Sequence, residues 1–401
     1  MQPFTPAALA AATLVCLMWI YLLVGRGRFW RVGVEAPERV GELKASVAVI
    51  IPARNEAAFI EPNLVSLLEQ TCNRSLHILL VDDGSTDATV HIARQATQKI
   101  VSQGGGPASF NLIQGQPLPP GWSGKLWAMQ QGIEAACRLN PTFFMFSDAD
   151  IVYRPENVAA LVAIAQAGGY DLASFMVKLH CQSFAEKLLI PAFVYFFFQL
   201  YPPSWIADPK RSTAGAAGGC LLIRPEALAR AGGLEAIRNE IIDDCSLARA
   251  VKGSGSKVWL GLTDSARSIR PYDSFRTIGR MISRNAFSQL RHSTLLLAVA
   301  LLGLTITYLL PPALLFATRP LPALLAAVAW ALMTITYFPL VRFYRLHPLW
   351  ALTLPVTALF YMAATLHSAV SFWRGRGGQW KGRVQDQKIT DSLEKRSLNP
   401  L

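Results

Sequence analysis

Residues 143–153 read FFMFSDADIVY. Four apolar or aromatic residues run straight into Ser147, Asp148, Ala149 and Asp150, the pattern of a buried strand that stops abruptly at two carboxylates. In an extended chain, residues two apart project the same way, so Asp148 and Asp150 share a face. A hard divalent cation such as Mg²⁺ or Mn²⁺ takes oxygen ligands, usually one or two carboxylates completed by substrate phosphates. By itself an Asp-x-Asp is equally a polar loop after a strand. The surrounding chain decides between the two.

Upstream the same design recurs. Residues 46–51 (SVAVII) form a short β-branched run stopped by Pro52, Ala53, Arg54, Asn55 and Glu56, after which residues 57–70 have helical spacing. Residues 76–81 (LHILLV) repeat it, ending in Asp82-Asp83-Gly84-Ser85-Thr86-Asp87 with another helix beyond. A third strand at residues 110–114 precedes a Pro/Gly loop, and residues 124–137 are again helical. Strand, polar loop and helix in succession are the βαβ signature of a parallel sheet with its ligand at the carboxyl ends of the strands. Gly84 supplies a tight turn, and Ser85 or Asp87 can cap the following helix. Turn and cap duty alone would account for Asp82 and Asp83, but two carboxylates at the end of a buried strand exceed what a cap needs. No G-x-G-x-x-G follows the first strand and no G-x-x-x-x-G-K-[ST] occurs. Glycine-loop dinucleotide binding and P-loop chemistry therefore lose their motif support.

The chain has 401 residues, 52% of them hydrophobic and only 16% charged, an unusual balance for a soluble enzyme. The apolar excess is local. Residues 7–24 carry no charge and are followed by Arg26, Arg28 and Arg31, so the positive-inside rule predicts an N-terminal transmembrane helix within residues 1–25 that enters the cytoplasm at its end. A signal peptide fits less well, since the basic cluster follows the apolar run. Residues 295–317, 321–341 and 349–373 are each near the ~20 residues needed to cross a bilayer. Three full crossings would leave the basic tail, residues 374–401, on the wrong face. The prolines at 311, 312 and 355 therefore mark residues 295–317 or 349–373 as the segment that does not cross simply. Residues 188–206 (LLIPAFVYFFFQLYPPSWI) are charge-free and nearly long enough to span, yet a crossing there would separate Asp148 and Asp150 from Asp244. The stretch is expected to lie in the interface and offer its aromatics to a lipid acceptor, the alternative being a buried core helix. Residues 275–291, with Arg276, Arg280, Arg284 and Arg291 among apolar positions, read as a second interfacial helix. The formal charge of +12 is thereby assigned to the lipid bilayer and phosphate ligands, with no nucleic-acid partner. Six cysteines without any CxxC spacing read as reduced thiols.

Six motifs in order then resemble family 2 glycosyltransferases: residues 52–56 (PARNE), 81–89 (VDDGSTDAT), 124–126 (GKL), 147–150 (SDAD), 218–224 (GGCLLIR), and Asp243-Asp244 followed by Leu247 and Arg249. The similarity covers about residues 45–290. With its membrane flanks and the tail 377–383 (GGQWKGR), the chain looks most like the hopene-associated, membrane-bound members. The resemblance implies an α/β, GT-A type nucleotide-sugar-binding domain with a mainly parallel central sheet. On matching positions, Pro52, Ala53, Arg54 and Glu56 with Asp83 would hold the uracil and ribose, and Lys125 and Gly219 would lie by the nucleotide. Asp150, helped by Asp148, would carry Mg²⁺ or Mn²⁺, and Asp244 would be the base. Asp243 stands where the family usually has Glu, so Asp243 shares the candidacy. The Q-x-x-R-W of processive enzymes is absent, and only Arg280, Arg284 and Asn285 lie near that place, which implies one sugar transfer rather than polymer synthesis. Trp380, Lys381 and Arg383 are either a membrane-flanking anchor or a tail folded over the donor diphosphate.

The chemistry agrees. Displacing a diphosphate from an anomeric carbon needs neutralisation of the leaving charge, a role for a cation and Lys125, with Arg284 among the candidate nucleotide-sugar-binding residues. It also needs a carboxylate to deprotonate the acceptor hydroxyl. The expectation is an inverting, metal-dependent transfer of one sugar from a UDP-sugar to a membrane lipid alcohol, hopanoid-like or other, at the cytoplasmic face of the inner membrane. A polyprenyl phosphate is the alternative acceptor. A catalytically silent membrane scaffold is the alternative of another class, and it would have no need of Asp83, Asp148, Asp150 and Asp244 together.

Overall fold

The computed structural model describes residues 5–31, 33, 45–102, 109–316, 320–375, 379–380 and 383–384. Helix α1 (Thr5–Val24) leads to β1 (Val47–Ala53), α2 (Ile60–Leu68), β2 (Leu76–Asp82), α3 (Thr89–Ser102), β3 (Ser109–Gln114), α4 (Gly124–Cys137) and β4 (Phe143–Ser147). Then come β5 (Ile151–Tyr153), α5 (Asn157–Gly168), β6 (Leu172–Lys178), α6 (Phe184–Leu200), α7 (Pro203–Ala207), β7 (Cys220–Ile223), α8 (Pro225–Arg230), α9 (Asp243–Gly253) and β8 (Val258–Ser268). The chain closes with α10 (Phe275–Gln289), α11 (Thr294–Leu304), α12 (Leu310–Leu315), α13 (Pro320–Phe343), α14 (Leu354–Trp373) and the short ribbon of β9 (Gln379–Trp380) and β10 (Arg383–Val384).

Eight strands form one sheet in the order β3-β2-β1-β4-β7-β6-β8-β5. The pairs β3–β2, β2–β1, β1–β4 and β6–β8 are parallel, whereas β7 and β5 run the other way. The four strands read from sequence are the parallel half. In the other half, β5 and β7 are only three and four residues long and carry no alternation to find, while β6 and β8, seven and eleven residues long, went unread. β1 shows why the sheet forms: all seven residues are buried, as expected of a strand covered on both faces. Val47, Val49 and Ile51 enter one core beneath α2 and α5. Ala48 and Ile50 enter the other, against α4. Gly132 of α4 lies so close to β1 that a Cβ there would come within 2.5 Å of the Ile50 Cγ2, so the helix seats on the sheet only through glycine.

That second core continues without a break into the apolar helices. It joins Ile50 and Phe146 of the sheet to Leu189, Tyr195 and Phe198 of α6, Trp19 of α1, Tyr337 of α13 and Tyr361 of α14. Among the described residues, five segments are long and apolar enough to cross a membrane: Pro6–Val24, Phe184–Ala207, Thr294–Leu315, Pro320–Phe343 and Pro348–Trp373. The stretch 188–206 is α6 and α7. More than half of it is buried inside the protein, and Tyr195 and Phe198 are wholly enclosed, so among the described aromatics only half-buried rings such as Phe193, Phe196 and Phe197 are open to a lipid. Its Tyr195 hydroxyl hydrogen-bonds Thr336 of α13 at 2.8 Å, and its Gln199 accepts from Tyr308 at 2.6 Å. Pro311 and Pro312 do not interrupt residues 294–315. A π turn at Thr305–Leu309 precedes them and α12 starts at Leu310, a helix start where proline is tolerated. The Thr307 carbonyl in that turn accepts from the indole of Trp19 at 2.9 Å. All six cysteines are free thiols.

Candidate active site

The carboxyl ends of β1, β2, β4 and β8 and the start of antiparallel β7 meet at one edge of the sheet, and the N-terminus of α9 faces them. Lys125, in the first turn of α4, stands at the centre. Its Nζ lies 3.0 Å from Asp148 Oδ1 and 3.1 Å from Asp243 Oδ2, joining the strand-end pair to the helix-start pair. Burial presses against its charge, yet Asp148, Asp243 and Asp244 hold the ammonium well above the usual lysine range. The null expectation for the strand-end pair, a solvated polar loop, does not describe it: Asp150 is only 9% exposed.

Asp150 has a partner that the sequence reading missed. Its Oδ2 accepts from Arg270 Nε at 2.9 Å and from the Ser268 hydroxyl at 3.0 Å. The same guanidinium donates through Nη2 to Glu56 Oε2 at 2.6 Å and lies 4.4 Å above the Phe59 ring. Only the strand that carries Arg270 to the site could have signalled it, namely the run Val258–Ser268, whose length and β-branched residues had gone unread. Burial lifts the Asp148 carboxyl above its ordinary range, and the neighbouring charges of Asp150 and Asp243 add to this against the pull of Lys125. Asp148 Oδ2 and Asp150 Oδ1 have no hydrogen-bond donor among the described residues. No group of three or more His, Cys, Asp or Glu gathers around one point among those residues. Two adjacent carboxylates with an oxygen to spare, completed by phosphate and water, suit Mg²⁺ or Mn²⁺.

Asp244 is held differently. Its Oδ2 accepts the Gly218 N–H at 2.9 Å and its Oδ1 accepts the Cys245 N–H at 2.7 Å, with no salt bridge to a cation among the described residues. Burial and the adjacent Asp243 raise its pKa to about 6, although Lys125 and the two N–H groups pull the other way. Neither carboxylate caps α9 in the usual manner: the N-cap is Ile242, and Asp243 turns to Lys125. Gly218 keeps this corner open, since a Cβ there would touch both Asp244 Oδ2 and Lys125 Nζ, at 3.4 and 3.5 Å. A small cavity is lined by Lys125, Gly218, Asp243 and Asp244 on one side and Leu126, Phe146 and Leu247 on the other.

The remaining expected residues fall into three groups. Pro52 and Ala53 are buried strand residues, paired with Val81 and Asp82 in β2, so any role passes through backbone. Arg54 donates to the Asp83 carbonyl at 2.6 Å and lies 3.3 Å from its carboxylate, while Asn55, at φ +52°, accepts the Thr86 N–H at 2.8 Å. These contacts fasten the first polar loop to the second. Asp87 accepts from the Thr89 N–H at 3.0 Å, the capping role read from sequence. Gly219 joins the site through its carbonyl, which accepts from the Tyr153 hydroxyl at 3.0 Å. Arg284, on α10, stands further out, and its charge and those of Asp150 and Arg270 all act on the hydroxyl of buried Tyr272. Lys381 lies outside the described residues, and so do the side chains of Trp380 and Arg383, whose backbones pair across the β9–β10 ribbon.

Residues 48–231 match the model of glycosyl transferase family 2. The chain carries a family 2 glycosyl transferase domain. Among curated proteins, this domain is similar to the 4,4'-diaponeurosporenoate glycosyltransferases of Staphylococcus haemolyticus and Staphylococcus aureus. The first is 31% identical over 137 residues, 32% of this chain and 30% of that protein. The second is 31% identical over 125 residues, 31% of this chain and 29% of that protein. The match thus spans about 30% of the length of these relatives. Among solved structures, the mannosyltransferase PcManGT from Pyrobaculum calidifontis, in complex with GDP-Man and Mn²⁺, superposes with a TM-score of 0.56 at 19% identity, over 90% of this chain and 98% of that one. The fold is therefore GT-A-like, the apolar helices included.

Proposed function

We propose that this chain is an inverting glycosyltransferase that moves one sugar from a UDP-sugar to a membrane lipid acceptor, hopanoid-like or another lipid alcohol, at the cytoplasmic face. The observation that carries the reading is Asp244. It is a carboxylate with no salt bridge to a cation among the described residues, its pKa raised to about 6, next to Asp243, which shares Lys125 with Asp148 of the strand end. Asp244 takes the proton from the acceptor hydroxyl as that oxygen attacks the anomeric carbon. The bond from that carbon to the diphosphate breaks with inversion, and the departing oxygen is met by Lys125. Asp150 and Asp148 would hold Mg²⁺ or Mn²⁺, which neutralises charge on the leaving diphosphate when bound. Arg54, Glu56 and Asp83 would receive the nucleoside, and Gly219 would let the donor approach the backbone of β7. Trp380, Lys381 and Arg383 are retained as candidates for covering the donor.

The relatives' names favour a second reading of the acceptor. A diaponeurosporenoate is a carboxylate, which attacks without a base. The two readings part on Asp244: a hydroxyl acceptor needs it and a carboxylate acceptor does not. The decisive experiment supplies purified full-length protein with a panel of UDP- and GDP-sugars and extracted membrane lipid, then identifies the product by mass spectrometry. A glycosylated lipid alcohol formed from a UDP-sugar supports the first reading, and a glycosyl ester supports the second. Absence of any product from all donors would end both.

A further inference from the structure

Arg270 occupies the position where positive charge is needed in the proposed donor site, and it is already committed there. One guanidinium bridges two buried carboxylates from opposite sides of the cleft, Glu56 at 2.6 Å and Asp150 at 2.9 Å. Glu56 and Asp150 are 7% and 9% exposed, and Arg270 also rests 4.4 Å above the Phe59 ring. Buried carboxylates without a cation are costly, so this pairing makes the site stable before any ligand arrives. It also sets a condition on metal binding. A divalent cation at Asp150 would stand beside a guanidinium, and that repulsion is relieved only by an anion.

We infer, resting on the donor reading above, that Arg270 is a place-holding cation: it balances Asp150 and Glu56 in the empty site, disfavours a divalent metal alone, and permits the metal when a nucleoside diphosphate brings its own negative charge. Arg270 is thus a positioning residue that couples metal to donor. The geometry allows the exchange because the Asp150 bonds use one oxygen, leaving Oδ1 for a metal. The Phe59 face offers the planar guanidinium a surface to slide on while it trades a carboxylate for a phosphate. By linkage, the donor must then tighten the metal by the same factor that the metal tightens the donor.

The test measures Mn²⁺ binding to the full-length protein in detergent, by the electron paramagnetic resonance of free Mn²⁺, with and without UDP. Wild type is expected to bind Mn²⁺ weakly alone and tens of fold more tightly with UDP, within the ~5–150-fold range usual for coupled sites. Arg270→Gln should tighten Mn²⁺ alone by about tenfold and shrink the coupling by a similar factor. Arg270→Lys, which keeps the charge but can neither bridge both carboxylates nor stack on Phe59, should fall between wild type and Arg270→Gln in both Mn²⁺ affinity and coupling. Glu56→Gln makes the site more positive and should move the Mn²⁺-alone affinity the opposite way, which keeps the test available should Arg270→Gln not fold. Unchanged Mn²⁺ affinity in Arg270→Gln, with full UDP coupling, would overturn the inference and leave the donor reading standing. No saturable Mn²⁺ binding by wild type with either UDP or GDP would overturn both.

Discussion

The two aspartate pairs are chemically alike in sequence and opposite in surroundings. Asp148 and Asp150, where β4 gives way to β5, each touch a cation, Lys125 for the first and Arg270 for the second. Of the pair that opens α9, Asp243 shares Lys125 while Asp244 touches only backbone N–H groups. Cation contact makes a carboxylate a counter-ion or ligand, and at Asp148 the Lys125 ammonium works against the upward push of burial. Burial without such contact makes it hold its proton more tightly, which suits a base working near neutral pH. The division of labour is set by neighbours and not by residue type.

The largest expected effect comes from breaking the first pair. Asp150→Ala should remove transfer, because losing neutralisation at the leaving group forfeits several kcal/mol of transition-state stabilisation. Circular dichroism should show the fold retained. Full activity in the variant, or in wild type with excess chelator, would mean the pair holds no cation.

Breaking the second pair should cost less. Asp244→Asn keeps the shape but accepts no proton, so turnover should fall ~10²–10⁴-fold with UDP-sugar affinity retained. If Asp243→Asn gives that result and Asp244→Asn does not, the base is one residue earlier.

A pH profile sharpens the same contrast. With its pKa near 6, Asp244 must lose its proton to act, so kcat/KM should rise with pH up to about 6 and level off above it. Stability runs the other way. Between the ordinary value of 3.8 and about 6, the native state keeps a proton that the unfolded chain has released, so this group's contribution falls as pH rises through that window. Because Asp244→Asn would also turn its NH₂ toward one of the two backbone N–H donors, the measurement is the pH dependence of wild-type stability relative to that variant, which should fall from about 3.8 to about 6. A flat difference across that window would mean that Asp244 is charged at no cost in the native protein.

The smallest effect tests whether both pairs face one compartment. Cys137 is exposed at the end of α4, the helix that carries Lys125. A membrane-impermeant maleimide should spare it in intact cells and label it after permeabilisation. Labelling from outside would contradict a cytoplasmic site.

In the parallel half β1, β2 and β4 were legible because each is a nearly continuous apolar run ending in a polar loop, the composition of strands covered on both faces, whereas the edge strand β3 mixes polar and apolar residues and is only half-buried. Asp148 and Asp150 were legible because their charges end an apolar strand, whereas Lys125, Asp243 and Asp244 were read from the motifs shared with family 2 glycosyltransferases. Arg270 was not, since it lies 120 positions from Asp150 and, in sequence, resembles one more basic residue before the arginine-rich α10. Pairings across such distances are made by topology, here the crossing that lays β8 beside β6 and brings its end to β5. The stretch 188–206 left interface and core both open for a different reason. Composition gives a helix's apolarity but not whether protein or lipid covers it, and α6 is covered largely by α13, α14 and α10.

Glu186, enclosed at the start of α6, accepts N–H bonds from Gln182 and Ser183 at 2.9 Å and from Tyr272 at 2.7 Å, and its carboxylate lies 2.7 Å from His180 Nδ1. Tyr272 is two residues from Arg270. The guanidinium between Asp150 and Glu56 is therefore tethered to a helix wedged among the apolar bundle. The start of α6 and the strand-end carboxylates are thus joined through Glu186, Tyr272 and Arg270, with a single hydrogen-bonded carboxylate as the joint.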